Sequence, residues 1–239
     1  MILVVKESAL AGKAEALSGK LNIEIGDEPV DEAYLMLSGD GLMLCRGELS
    51  LKADFTEMLP RLKQSNLEKE MLVKAARVKG AAEPLVLDAT AGFGEDSLLL
   101  AAAGFRVLMF EKDPIIAALL SDALERAKAV PELREIAGRM ELRCEDSISG
   151  MEGIDADVIY LDPMFPERKK SAAVKKKFQL IHDLEKPCEN EEELLRAAIN
   201  AHPKKIVIKR PAKGAYLAGV KPSHSYEGKA VRYDCLVNV

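Results

Sequence analysis

The sequence predicts an α/β protein built on one doubly wound, mostly parallel sheet with a late antiparallel strand, preceded by a small α+β unit. Three observations lead there. From Leu85 onward, short apolar runs alternate with amphipathic or leucine-rich stretches, as strands and helices do when they follow each other in turn. The run Leu85-Val86-Leu87-Asp88 ends in a carboxylate and passes through Ala89-Thr90-Ala91-Gly92-Phe93-Gly94 into Glu95-Asp96-Ser97, which reads as strand, tight turn and helix start. Upstream, Tyr34–Leu37 and Leu42–Cys45 flank Ser38-Gly39-Asp40-Gly41, a hairpin signal foreign to a parallel sheet.

Residues 1–60 therefore form one unit and residues 61–239 a second, with Pro60 at the boundary. In the first, Ile2–Val5 reads as a strand and Ser8–Leu17 as a helix beside the hairpin. In the second, an amphipathic helix over Leu67–Arg77 leads to the strand Leu85–Ala89, then a helix over Ser97–Ala103 that Gly104 ends. Phe105–Phe110 is the next strand, and Asp113-Pro114 caps and opens a helix that buries Ile115, Ile116, Leu119, Leu120 and Leu124. Strands follow at Met140–Cys144, Val158–Leu161 and Lys205–Lys209, with a helix from Asn190 to His202 before the last of these. A late strand at Val231–Val237 is expected to pair antiparallel with a segment near Gly214–Val220.

Composition narrows the function. Among 239 residues, 48% are hydrophobic and 31% charged, the balance of an ordinary globular protein. The apolar start Met1–Val5 is too short for a signal peptide, and no stretch is long enough to cross a bilayer, so a cytoplasmic protein is expected. Cys45, Cys144, Cys188 and Cys235 lie far apart with no C-x-x-C pair, as reduced thiols do, and with His182, His202 and His224 they make no metal pattern. A net charge of −5 excludes a surface that grips nucleic acid everywhere but not a local basic face.

The chemistry belongs at the carboxyl ends of the strands, where open parallel sheets hold their ligands. Asp88, Gly92, Gly94, Glu95 and Asp96 make the first turn. A diphosphate would be repelled by its three acids, and Ser97 stands where a dinucleotide fingerprint has its third glycine. A cationic ligand with hydroxyls suits it better, and S-adenosylmethionine carries a sulfonium, an ammonium and a ribose. Glu111 lies roughly 20 residues on, the offset of an acid that bonds ribose hydroxyls. Asp146 and Ser147 fall where an adenine edge could be met.

Asp162-Pro163-Met164-Phe165-Pro166 is the sharper motif, delivered by the buried-strand run Val158–Leu161. It resembles the Asp/Asn-Pro-Pro-aromatic signature of methyltransferases that modify exocyclic amines of bases. An aryl amine is a poor nucleophile because its lone pair is delocalised into the ring. Asp162 and the Pro163 carbonyl would accept its N–H bonds and localise that pair, while Phe165 would stack on an extruded base. Arg168, Lys169, Lys170, Lys175, Lys176 and Lys177 follow, and Lys204, Lys205, Lys209, Arg210, Lys213 and Lys221 add to them, a basic face suited to RNA phosphates.

Together these segments, with Glu111-Lys112-Asp113-Pro114, Lys169-Lys170-Ser171-Ala172 and Val207-Ile208-Lys209-Arg210-Pro211, resemble the ribosomal small subunit methyltransferase J family from about Leu72 onward. The resemblance implies a Rossmann-like class I S-adenosylmethionine-dependent fold and methyl transfer to the N2 amine of a guanine in 16S ribosomal RNA. It also implies a donor held at Glu95-Asp96, Glu111-Lys112, Asp146-Ser147 and Asp162. The partner would be small-subunit RNA or the 30S subunit, met by a monomer or weak dimer with neither metal nor membrane. Glu95 and Lys112 stand where the family usually has arginine. The rival readings are another amine methylase, acting on adenine N6 or a different guanine, and a non-catalytic RNA-binding or assembly protein on the same fold.

Overall fold

The computed structural model describes residues 1–163, 180 and 190–237. They build two sheets, one of five strands and one of seven. In the first, β1 (Ile2–Val5) runs parallel to β2 (Glu24–Gly26), to which it is joined by α1 (Ala11–Leu21), and parallel to β3 (Tyr34–Ser38) on its other side. β4 (Gly41–Arg46) returns antiparallel across the two-residue turn Gly39-Asp40, and β5 (Leu49–Leu51) closes the edge.

The second sheet contains β6 (Leu85–Asp88), β7 (Arg106–Phe110), β8 (Met140–Arg143), β9 (Val158–Leu161), β10 (Lys205–Pro211), β11 (His224–Glu227) and β12 (Val231–Val237). Their order is β11-β12-β10-β9-β6-β7-β8, with β10 to β8 parallel and β12 antiparallel to both of its neighbours. The chain leaves β6 towards β7 and β8, then crosses back to β9. The order therefore reverses between β6 and β9, the kind of switch point at which open parallel sheets hold their ligands. The late strand differs from expectation in its partners. β12 pairs with β10 over Lys205–Pro211 and with β11, while the segment near Gly214–Val220 makes a short turn at Leu217–Gly219.

Both faces of the large sheet are covered, which is why its strands read as unbroken apolar runs. Val86, Val107, Met109, Tyr160 and Val207 point to one face, against α4 (Glu95–Ala102) and α5 (Pro114–Ala129). Leu87, Leu108, Ile159, Leu161 and Ile206 point to the other, against α8 (Glu191–Asn200). α5 is apolar on two sides. Leu120, Ala123 and Leu124 face the large sheet, whereas Ile115, Ala118 and Leu119 join Leu3, Leu35, Leu37, Leu42 and Leu44 of the small one. Asp113 caps this helix by accepting the amides of Ile115 and Ile116, and Pro114 is its first residue.

The expected single helix over Leu67–Arg77 is broken into α2 (Gln64–Leu67) and α3 (Met71–Ala76). Glu70 between them is extended and takes both Arg61 donors, at 2.8 and 3.0 Å. Two further helices, α6 (Pro131–Gly138) and α7 (Ser147–Gly150), precede and follow β8. Among the described residues no helix is long and apolar enough to cross a membrane, and no group of metal-ligating side chains gathers.

Candidate active site

The turn after β6 is held from beneath. Asp88 is 1% exposed, with Oδ2 accepting the Ser97 hydroxyl at 2.5 Å and Oδ1 the Thr90 amide at 3.1 Å. The carboxylate thus staples the strand end to the first turn of α4. Burial pushes its pKa up to about 7, against the pull of those two bonds. Above it the backbone takes left-handed φ at Gly92 (53°) and Gly94 (75°). At Gly94 packing adds a second reason, since a Cβ would lie 2.7 Å from Leu120 Cδ1.

Glu111, just past β7, braces the same turn. Its Oε2 accepts the Gly92 amide at 3.0 Å and its Oε1 the Asp113 amide at 2.8 Å. Burial raises its pKa, and the two amide bonds pull against the rise. Asp146 caps α7 by accepting the Ile148 amide at 2.9 Å, and Ser147 is buried behind it. Glu95 and Lys112 are exposed.

Asp162 arrives at the end of β9. Its amide donates to Thr90 Oγ1 at 2.7 Å, tying this strand end to the glycine turn across the switch point. Lys209 Nζ lies 2.8 Å from Asp162 Oδ2 and 2.7 Å from Asp96 Oδ2, and the Tyr160 hydroxyl donates to the same Asp96 oxygen at 2.6 Å. Burial raises the pKa of Asp162, with Lys209 opposing. For Lys209 burial would lower it, but Asp96 and Asp162 raise it well above the ordinary lysine range. Burial, helped by the charge of Asp96, likewise raises the pKa of the Tyr160 and Tyr233 hydroxyls.

The structure thus brings Asp88, Gly92, Gly94, Asp96, Glu111 and Asp162 to one edge. Pro163 is buried beside them, whereas Phe165, Arg168, Lys169, Lys170, Lys175, Lys176 and Lys177 lie outside the described residues. The basic group expected around β10 divides. Lys209 turns inward to two carboxylates, and buried Arg210 donates to the Ala215 carbonyl and pairs with Glu191. Lys204, just before β10, and Lys205, its first residue, lie at the opposite edge of the sheet, where they bond Asp157 and the carbonyls of Ala75 and Arg77 respectively. Lys213 and Lys221 are exposed.

Sequence reasoning missed Thr90, Tyr160 and the inward role of Lys209. A signal existed for two of them. A tyrosine and a lysine within otherwise apolar central strands must each find a polar partner.

Residues 18–238 match the family model "Putative SAM-dependent methyltransferase". A ribosomal RNA small subunit methyltransferase J of Nitrosococcus oceani is 42% identical over 208 residues, covering 84% of this chain and 82% of that protein. One from Cellvibrio japonicus is 39% identical over 98% of this chain and 96% of its own length. The chain belongs to the ribosomal RNA small subunit methyltransferase J family. A crystal structure of a SAM-dependent methyltransferase from Neisseria gonorrhoeae superimposes with a TM-score of 0.79 at 29% identity, covering 99% of this chain and 96% of that one. The fold is accordingly the Rossmann-like class I fold, and the methyl donor is S-adenosylmethionine.

The residues at the edge fit that donor. Asp96 and Asp162 share a single lysine, which leaves an excess of negative charge that would suit a sulfonium and an ammonium. Gly92 offers backbone without a side chain there, and Glu111 is fixed through both oxygens by amide donors.

Proposed function

We propose that this enzyme methylates the exocyclic N2 amine of a guanine in 16S ribosomal RNA, acting in the cytoplasm on the small-subunit RNA or the 30S particle. Bound at the β6 turn, S-adenosylmethionine supplies an electrophilic methyl group. Glu111 accepts ribose hydroxyls, and Asp96 with Glu95 lines the side facing α4. Lys112, Asp146 and Ser147 complete the holding set, while Asp88 acts through the turn it staples. Asp162 and the Pro163 carbonyl accept the amine N–H bonds and aim its lone pair, and Phe165 stacks on the base. Arg168, Lys169, Lys170 and Lys175–Lys177 bind phosphates.

The observation that supports this reading is the 2.7 Å bond from the Asp162 amide to Thr90, which ties the end of β9 to the glycine turn. In-line attack demands that juxtaposition. The test is methylation of 30S subunits from a strain lacking the enzyme, with isotopically labelled donor and mass mapping of the product nucleotide. A label on guanine N2 is expected. A label on adenine N6, or no transfer by protein that binds the donor, overturns the proposal.

A further inference from the structure

We infer that Lys209 is a positioning residue for methyl transfer: it holds Asp162 ionised and fixes one of its oxygens, leaving the other for the substrate amine. The inference rests on the reading of Asp162 as the amine acceptor. In the register of the sheet, Ile208 of β10 pairs with Leu161 of β9, so Lys209 and Asp162 are the next residues along two adjacent parallel strands. Nζ spans from Asp162 Oδ2 to Asp96 Oδ2, and no described residue donates to Asp162 Oδ1. With its side chain 31% exposed, Asp162 is still accessible to a substrate.

The surrounding charges make the lysine necessary. Asp96 faces Asp162 from α4, Asp88 from the end of β6, Tyr160 from β9 and Tyr233 from β12. Arg210, the next residue on β10, offers a further but weaker positive charge, and Arg61 bears on Tyr233 and Asp96. Remove Lys209 and two carboxylates face each other with no ammonium between them, the arrangement in which one of them takes a proton. A protonated Asp162 would present a donor where the amine needs an acceptor. Lys209 therefore serves the carboxylate and not the phosphate backbone, which separates it from the basic segment after Pro166.

The test is the pH dependence of methyl transfer to 30S subunits at saturating donor, for the wild type, Lys209→Met and Lys209→Arg. An opposite charge this close moves a carboxyl by about 1–3 pH units. The acidic limb of the Met variant should climb by that amount, with most of the rate recovered at alkaline pH. Arg should restore the limb. The salt dependence of 30S binding should not change, whereas a lost phosphate contact would reduce the log–log slope by about one. A uniform loss of rate at every pH, in either variant, or a reduced salt slope overturns the inference. Asp162→Ala, which keeps no accepting oxygen, separates the two readings. Full activity in that variant removes Asp162 as acceptor altogether, while an inactive Ala variant beside an unshifted Met profile removes only the role of Lys209.

Discussion

Two carboxylate clusters, one on α5 and one at the carboxyl edge of the large sheet, differ in how many donors each acid receives. On α5, Asp122 is 3% exposed and takes three donors: Lys13 at 2.8 Å, Arg126 Nε at 2.8 Å and the Leu42 amide at 2.9 Å. Burial works to raise its pKa, but Arg126, Lys13 and the amide outweigh burial and hold it below the usual range. At the carboxyl edge of the large sheet, Asp96 and Asp162 divide one lysine, and Asp88 has no cation at all among the described residues. There burial wins, and Asp88 and Asp162 are raised. The ingredients are alike. The surplus of donors makes the first a joint between the two sheets, and the deficit makes the second a place that welcomes a cation.

The joint should fail first if its acid is removed. Asp122→Ala leaves Arg126 and Lys13 without their shared partner and the Leu42 amide unpaired, a loss of about 3–5 kcal/mol for a broken buried pair. Urea unfolding measures it, and donor affinity of the folded fraction should be unchanged. The sign with pH follows from the lowered pKa. Its stabilisation is present above the unfolded carboxyl value of 3.8 and is lost as pH falls through the lower folded one. A variant as stable as the wild type would remove the contrast between the clusters.

The site should respond in the opposite currency. Asp162→Ala is expected to lower methyl transfer by at least 10²–10³-fold, the range for losing one group that acts on the transition state. Its unfolding midpoint should stay level or rise, because a carboxylate with a raised pKa is held charged at a cost. A large fall in stability would mean that Asp162 is a structural acid like Asp122.

Asp88 sharpens the comparison through pH alone. Its folded pKa of about 7 exceeds the ordinary 3.8, so between those values the native state keeps a proton that the unfolded chain has released. Its contribution to stability therefore declines as pH rises across that window, by about 1.4 kcal/mol per unit, and is flat above it. The difference in unfolding free energy between the wild type and Asp88→Asn should shrink from pH 5 to pH 7. A constant difference would show that Asp88 is ionised throughout.

Most of the framework is legible in the sequence because both layers leave period and punctuation behind. Val158–Leu161 and Ile206–Ile208 are unbroken apolar runs since both sides of their sheet are covered, and Asp113-Pro114 marks a helix start by its own chemistry. Asp88, Glu111 and Asp162 of the candidate site are visible in the sequence as acids at strand ends. What was hidden depends on distance in sequence. Asp122 sits within a helix like any surface acid, and only the fold brings Lys13 and Leu42 to it across 109 and 80 residues. Gly41 looks like a turn residue alone, yet a Cβ there would lie 2.6 Å from Asp122 Oδ2. Lys209 follows the apolar run Ile206–Ile208 within its strand and precedes an arginine, so charge counting groups it with the RNA contacts, while strand register places it beside Asp162.

The smallest effect is expected where the joint meets solvent. Lys13 is 42% exposed and reaches Asp122 Oδ1 and, at 3.0 Å, Glu125. Lys13→Met removes an ammonium that is largely screened, while Arg126 and the Leu42 amide still satisfy Asp122. The loss should be at most about 1 kcal/mol and should fade in high salt. Asp122→Ala, by contrast, should keep most of its cost at 1 M salt, where the Debye length is about 3 Å, because an unpaired buried amide is not screened. Unfolding both variants at low and high salt therefore separates the exposed half of the joint from the buried half. Equal salt sensitivity in the two would place the strength of this contact in its surface charges.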